Sequence, residues 1–171
     1  RQAPAAGPPR NLPGGDRGME IFAGASVCIL ILVSLLVATR TMAVWRRSRG
    51  LPELLLSLML VSSTVLGYPL TIASSQIPPS QMWPLHVASQ VFISFGFACL
   101  LLFTLKVFRA GTRWATCLAA VTLLVLVVGT TAYALELAGE NPRSPGDMVE
   151  VSLLISTAIA VTYFWTTFES L

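Results

Sequence analysis

The stretch LHVASQVFISFGFACLLLFTLKVF, residues 85–108, decides the solvent in which this chain folds. Its only formal charge is Lys106, near the end, and its one histidine, His86, stands near the start. As a helix rising about 1.5 Å per residue it outruns a hydrocarbon core about 30 Å thick, which about 20 apolar residues cross. Four further apolar segments resemble it: Ile21–Ala43, Leu54–Ala73, Ala115–Leu137 and Val149–Phe168. With Leu85–Phe108 they predict an all-α, polytopic transmembrane bundle of five spans. The expected division is a Pro/Gly-rich extramembrane arm over residues 1–18 and a five-helix transmembrane domain over 19–171.

Composition agrees with a lipid environment. The 171 residues are 54% hydrophobic and 11% charged, with mean hydropathy +0.74; soluble domains carry about 25% charged residues. Lys106 is the only lysine, beside ten arginines, and no basic stripe follows a soluble face. Nucleic acid is therefore not an expected partner. Cys28, Cys99 and Cys117 fall inside apolar segments without a CxxC pair, which predicts free thiols acting as small apolar residues. No metal site is expected.

The first 18 residues, RQAPAAGPPRNLPGGDRG, are rich in proline and glycine and show no periodicity. They cannot bury enough apolar surface to offset their ordering entropy. They lack the apolar h-region of a signal peptide. Two readings stay open: a disordered tail, or an extended arm lying on a partner subunit.

Charge in the joints predicts orientation. Arg40, Arg46, Arg47 and Arg49 surround the first joint, and Lys106, Arg109 and Arg113 the third. The second joint, SSQIPPSQMWP, has no charge, and the fourth holds Glu136, Glu140, Asp147 and Glu150 against Arg143. Basic joints stay in the cytoplasm, so the expectation is N-terminus outside and C-terminus inside, against a mild opposing bias from Arg1, Arg10 and Arg17. Gly50-Leu51-Pro52-Glu53 reads as a helix start: glycine breaks, proline suits the first turn, and glutamate complements the dipole. Trp45, Trp83, Trp114 and Trp165 fall where an aromatic belt belongs. Residues Asn141 to Asp147 read as a turn.

Helices in lipid associate through small residues and polar contacts. Ser152, Ser156 and Ala160, continuing to Tyr163 and Thr167, form such a stripe on the fifth span. Ser63 and Gly67 do so on the second, and Gly96, with Ser94 and Ala98, on the third. Pro69 removes a backbone donor inside the second span and predicts a kink. Leu123 to Val128 is apolar all round, which predicts a peripheral, lipid-facing fourth span.

The chemistry is sparse. No ionisable residue sits at the centre of a span, where a pump or proton-coupled transporter needs one. His86 could ligate haem iron or the magnesium of a chlorophyll-type pigment; otherwise it is an interfacial histidine and the chain binds lipids only. No Ser/His/Asp set, HExxH, P-loop or dinucleotide fingerprint occurs, so catalysis is not expected.

Two segments carry a resemblance. Arg47-Ser48-Arg49-Gly50-Leu51-Pro52-Glu53-Leu54-Leu55, with Leu66-Gly67-Tyr68-Pro69-Leu70 one span later, is similar to a group of uncharacterised bacterial multi-pass membrane proteins, as is Tyr163-Phe164-Trp165 with Glu169. The resemblance covers helices 2 to 5 and implies a seven-helix type, of which this chain is a shorter relative or a fragment. It brings no activity.

The leading expectation is a non-catalytic accessory or structural subunit of a larger complex in the bacterial inner membrane, with other membrane subunits as partners and a photosynthetic or respiratory assembly as setting. One alternative is a pigment- or haem-binding protein using His86. Another is a sensory or transport module with a polar cavity lined by Tyr68, Ser94, Tyr133, Ser156 and Tyr163.

Overall fold

All five apolar segments are helical in the computed structural model, which describes residues 15–74, 76–77, 79–138 and 149–171. The elements are α1 (Gly15–Ser48), α2 (Leu51–Met59), a π-helical stretch (Leu60–Gly67), α3 (Tyr68–Ser74), α4 (Pro79–Phe108), α5 (Arg113–Ala138) and α6 (Val149–Ser170). Five stretches are long and apolar enough to cross a bilayer: Gly24–Ser48, Leu51–Ser74, Met82–Phe108, Arg113–Leu137 and Glu150–Ser170. The chain is an integral, multi-pass membrane protein of the all-α class. The expected arm lies outside the described residues up to position 14, and residues 15–18 belong to α1. The turn expected at 141–147 also lies outside them.

The first joint is sharper than its sequence suggests. Gly50 is the expected breaker, yet the left-handed residue is Arg49, at φ 55°. Its N–H reaches back to the carbonyl of Trp45 at 2.7 Å, which closes the last turn of α1. Gly50 is extended, and its N–H is taken by Ser48 Oγ at 3.1 Å. A Cβ there would meet only the Glu53 carboxylate, the mobile end of a side chain, so the space at Gly50 does not demand glycine.

In the second span the strain expected at Pro69 is absorbed by a π-helix. The N–H of Tyr68 bonds the carbonyl of Ser63, five residues back. Proline cannot donate, and its ring crowds the carbonyl four residues earlier. A wider turn just ahead shifts the ladder by one residue and relieves that crowding.

The third span is the hub. α4 packs against the whole of the second span, α5 and α6, while α1 packs against α2 and the π-helical stretch. In the most apolar window of each, 39% of the third span is buried but 11% of the first. The first span is therefore the most peripheral; 28% of the fourth is buried, and its run 123–128, expected to be peripheral and lipid-facing, is exposed on one side only. Leu126 is 2% exposed in the core, although Leu124, Val127 and Val128 face outward. A run of leucine and valine has no sidedness of its own, so its neighbours assign one.

Close approach and hydroxyl pairs hold the spans together. Gly96 faces Ser62 and Ser63, and a Cβ there would lie 2.7 Å from Ser63 Cβ. Gly67 faces Ile93 in the same seam, and Gly129 faces Ile155 between α5 and α6. Ser94 pairs with Thr130 at 2.7 Å and Thr104 with Thr166 at 2.8 Å. Ser57 donates to the carbonyl of Ala38 at 3.1 Å, fastening α1. At the arginine-rich end, Arg109 Nε donates to both carboxylate oxygens of Glu169, at 2.8 and 3.0 Å, joining the end of α4 to the end of α6.

Candidate functional site

At the opposite end of the bundle, four spans converge on a cavity of about 360 Å³. Tyr68 comes from α3, His86 and Gln90 from α4, Tyr133 from α5, and Ser152 and Ser156 from α6; Ile93, Ile155 and Ile159 complete the wall. The antiparallel run of the second and third spans brings the end of α3 to the start of α4. The C-terminal part of α5 lies against His86, whose ring is 5.9 Å from that of Tyr133 with the planes tilted by 39°.

His86 is oriented by a relay. Its Nδ1 lies 3.1 Å from Ser74 Oγ, and Ser74 Oγ lies 2.7 Å from the carbonyl oxygen of Thr71. A carbonyl can only accept, so the one hydroxyl proton of Ser74 goes to Thr71. Nδ1 must then carry the proton it shares with Ser74, which leaves the lone pair on Nε2. This is how ligand histidines are commonly set, with one nitrogen donating to a fixed acceptor and the other free to accept or coordinate. The contact is not that of an activated serine. A nucleophilic serine gives its proton to histidine, whereas this one gives it to the backbone, and Ser74 is 1% exposed.

Opposite stands Tyr133, 6% exposed, with no hydrogen bond from its hydroxyl among the described residues. Gln90, Ser152 and Ser156 also make no side-chain hydrogen bond among them. Ser152 and Ser156 are exposed and Gln90 is half-buried, so the donors and acceptors around this open cavity are accessible to a ligand or to water, unlike those of the Ser94–Thr130 pair, which satisfy each other.

The sequence-derived residues divide between several places. His86 lines this cavity, as do Tyr68, Tyr133 and Ser156 from the expected polar set. Ser94 is engaged with Thr130, and Tyr163 stands edge-on to Phe97 at 5.0 Å. Ser63, Gly67 and Gly96 meet at the seam of the second and third spans. Ser152, Ser156 and Ala160 are exposed along α6, so this stripe, read from sequence as a packing seam, lies on an outward face. Gly129 against Ile155 makes the α5–α6 seam instead. Arg46 and Arg47 end α1, Arg49 forms the joint, and Lys106, Arg109 and Arg113 bracket the next joint at the same end, with Arg40 two turns inside. Gln90 was not singled out by sequence; its place one turn after His86 was the available signal.

Among the described residues no group of three or more His, Cys, Asp or Glu side chains converges. Cys99 is buried, and Cys28 and Cys117 are exposed on separate spans. Comparison with family models, curated proteins and solved structures returns no significant match.

Proposed function

We propose that this protein is a ligand-binding module of the membrane, of sensory or transport type, taking a small polar molecule in the His86–Tyr133 cavity. The observation that carries this reading is the Tyr133 hydroxyl, without a protein partner among the described residues and open to the cavity, its ring 5.9 Å from that of a histidine whose Nε2 is held as an acceptor. The complementary ligand presents a donor to Nε2 and an acceptor to Tyr133. A volume of about 360 Å³ lies at the small end of ligand sites, which run from about 300 to 1,000 Å³. That favours a small ligand over an enclosed macrocycle, and a haem or chlorophyll-type pigment would be held by His86 with its ring outside the cavity. The reading is non-catalytic: His86 has no activated nucleophile beside it.

The test is gentle purification from native membranes, then solvent extraction and mass spectrometry of the wild type and of Tyr133→Phe and His86→Ala. A small molecule stoichiometric in the wild type and depleted in both variants supports the reading. Identical extracts from all three overturn it. A visible band lost only in His86→Ala would move the assignment to a pigment or haem.

A second reading, the accessory subunit of a larger bacterial inner-membrane complex, draws support from the exposed Ser152, Ser156 and Ala160 stripe. Small residues four apart are what a neighbouring transmembrane helix packs against. Stoichiometric membrane subunits in the same purification would favour it, photosynthetic or respiratory according to their identity.

A further inference from the structure

We infer that the arginine-rich end carries a second, separate site: a binding groove for one anionic phospholipid. A cavity of about 560 Å³ opens on the outer face between α5 and α6. Leu118, Ala160, Val161, Phe164 and Phe168 line it, and Arg109 stands at its end. In a bilayer such an apolar groove is filled by an acyl chain, and the charge at its mouth selects the headgroup.

The charge there is positive and available. Glu169 spends both carboxylate oxygens on Arg109 Nε and accepts a further bond from Trp165 Nε1 at 3.2 Å. The terminal Nη donors of Arg109 have no hydrogen bond among the described residues, and the side chain is 41% exposed. Its guanidinium lies 5.7 Å from the ring centroid of Trp114 and is held from two directions. Two more exposed cations, Lys106 and Arg113, lie three residues before Arg109 and four after it in the chain. Basic pockets between transmembrane helices take phosphate headgroups in this manner, and planar guanidinium donors suit phosphate oxygens. A free phosphate would use the cations but leave the groove empty, so the occupant is a lipid.

The test is native mass spectrometry of the full chain with phosphatidylglycerol and phosphatidylcholine of equal chain length. Preferential retention of phosphatidylglycerol is expected, because each basic side chain near a headgroup contributes roughly fivefold. The double variant Arg109→Gln/Glu169→Gln removes the terminal guanidinium donors while leaving the net charge unchanged, and should lower that preference through lost headgroup hydrogen bonds. Ala160→Phe fills the groove without touching charge and should reduce retention of both lipids. Equal retention of the two lipids by the wild type, displacement of phosphatidylglycerol by millimolar inorganic phosphate alone, or an unaffected Ala160→Phe would each overturn the site. The two variants act at opposite ends of the groove, so misfolding of one leaves the other decisive.

Discussion

Ser74 Oγ lies between His86 Nδ1, at 3.1 Å, and the Thr71 carbonyl, at 2.7 Å, and so decides which nitrogen of the histidine holds its proton. The consequence can be read without knowing the ligand. Nitrogen NMR of labelled His86, above the ordinary histidine titration range, should show a protonated Nδ1 and a bare Nε2. Ser74→Ala removes the acceptor and should give a mixture of tautomers. A wild-type histidine protonated on Nε2 would refute the relay.

Tyr133→Phe separates a ligand role from a structural one. The hydroxyl has no hydrogen-bond partner among the described residues, so its loss should change unfolding stability by no more than about 0.5 kcal/mol. A loss of 2 kcal/mol or more, on the order of a broken buried hydrogen bond, measured by denaturant titration in micelles, would show that the protein itself uses this hydroxyl.

Gly96→Ala should destabilise. Its new Cβ would meet Ser63 Cβ at 2.7 Å and the Ser63 backbone nitrogen at 3.1 Å, atoms that cannot swing aside. Overpacking of this kind costs about 1–3 kcal/mol. Gly24→Ala is the control, with nothing within 4 Å of the added carbon; it should be neutral or stabilising by up to about 1 kcal/mol from helix propensity. Equal effects of the two in thermal unfolding would mean the second and third spans are not in close contact at Gly96.

The hydroxyl pair between spans at Ser94–Thr130 invites a double-mutant cycle. A coupling energy near 0.6 kcal/mol is expected, with about 1.7 as the upper bound seen in membrane bundles. Thr104–Thr166 is the contrast: each gives its one hydroxyl proton to its own helix, Thr104 to the Leu100 carbonyl and Thr166 to the Thr162 carbonyl, so coupling near zero is expected there. Coupling indistinguishable from zero at Ser94–Thr130 would show that its hydroxyls do not pair across the spans.

The arginines predict an orientation, and cysteine labelling tests it. In a background without Cys28, Cys99 and Cys117, Gln76→Cys should react with an impermeant maleimide in intact cells. Ser48→Cys and Gly111→Cys should react only after the membrane is opened. The reverse pattern would mean that Arg46, Arg47, Arg49, Arg109 and Arg113 do not set the topology.

The five spans, their ends and the concentration of arginine at one set of joints were legible in the sequence, because hydropathy and charge are sums over neighbouring residues. The disturbance at Pro69 was legible because proline cannot donate, although its form, a π-helix over Leu60–Gly67 whose Ser62 and Ser63 lie against Gly96, was not. Which way a helix faces is not a local sum. The stripe Ser152, Ser156 and Ala160 has the spacing of a seam yet points outward, because Ile155 and Ala158, on the other side of α6, took the places in the core. In the same way the apolar fourth span owes its buried edge to Leu126 and its neighbours. The candidate site was half visible. His86 stood out as the lone histidine, and Tyr133 was one of five residues expected to line a polar cavity. That Ser74 would orient the histidine, and that Tyr133 would arrive beside it from another span, was decided by tertiary structure, since only the relative rotation of packed helices brings such residues within reach of one another.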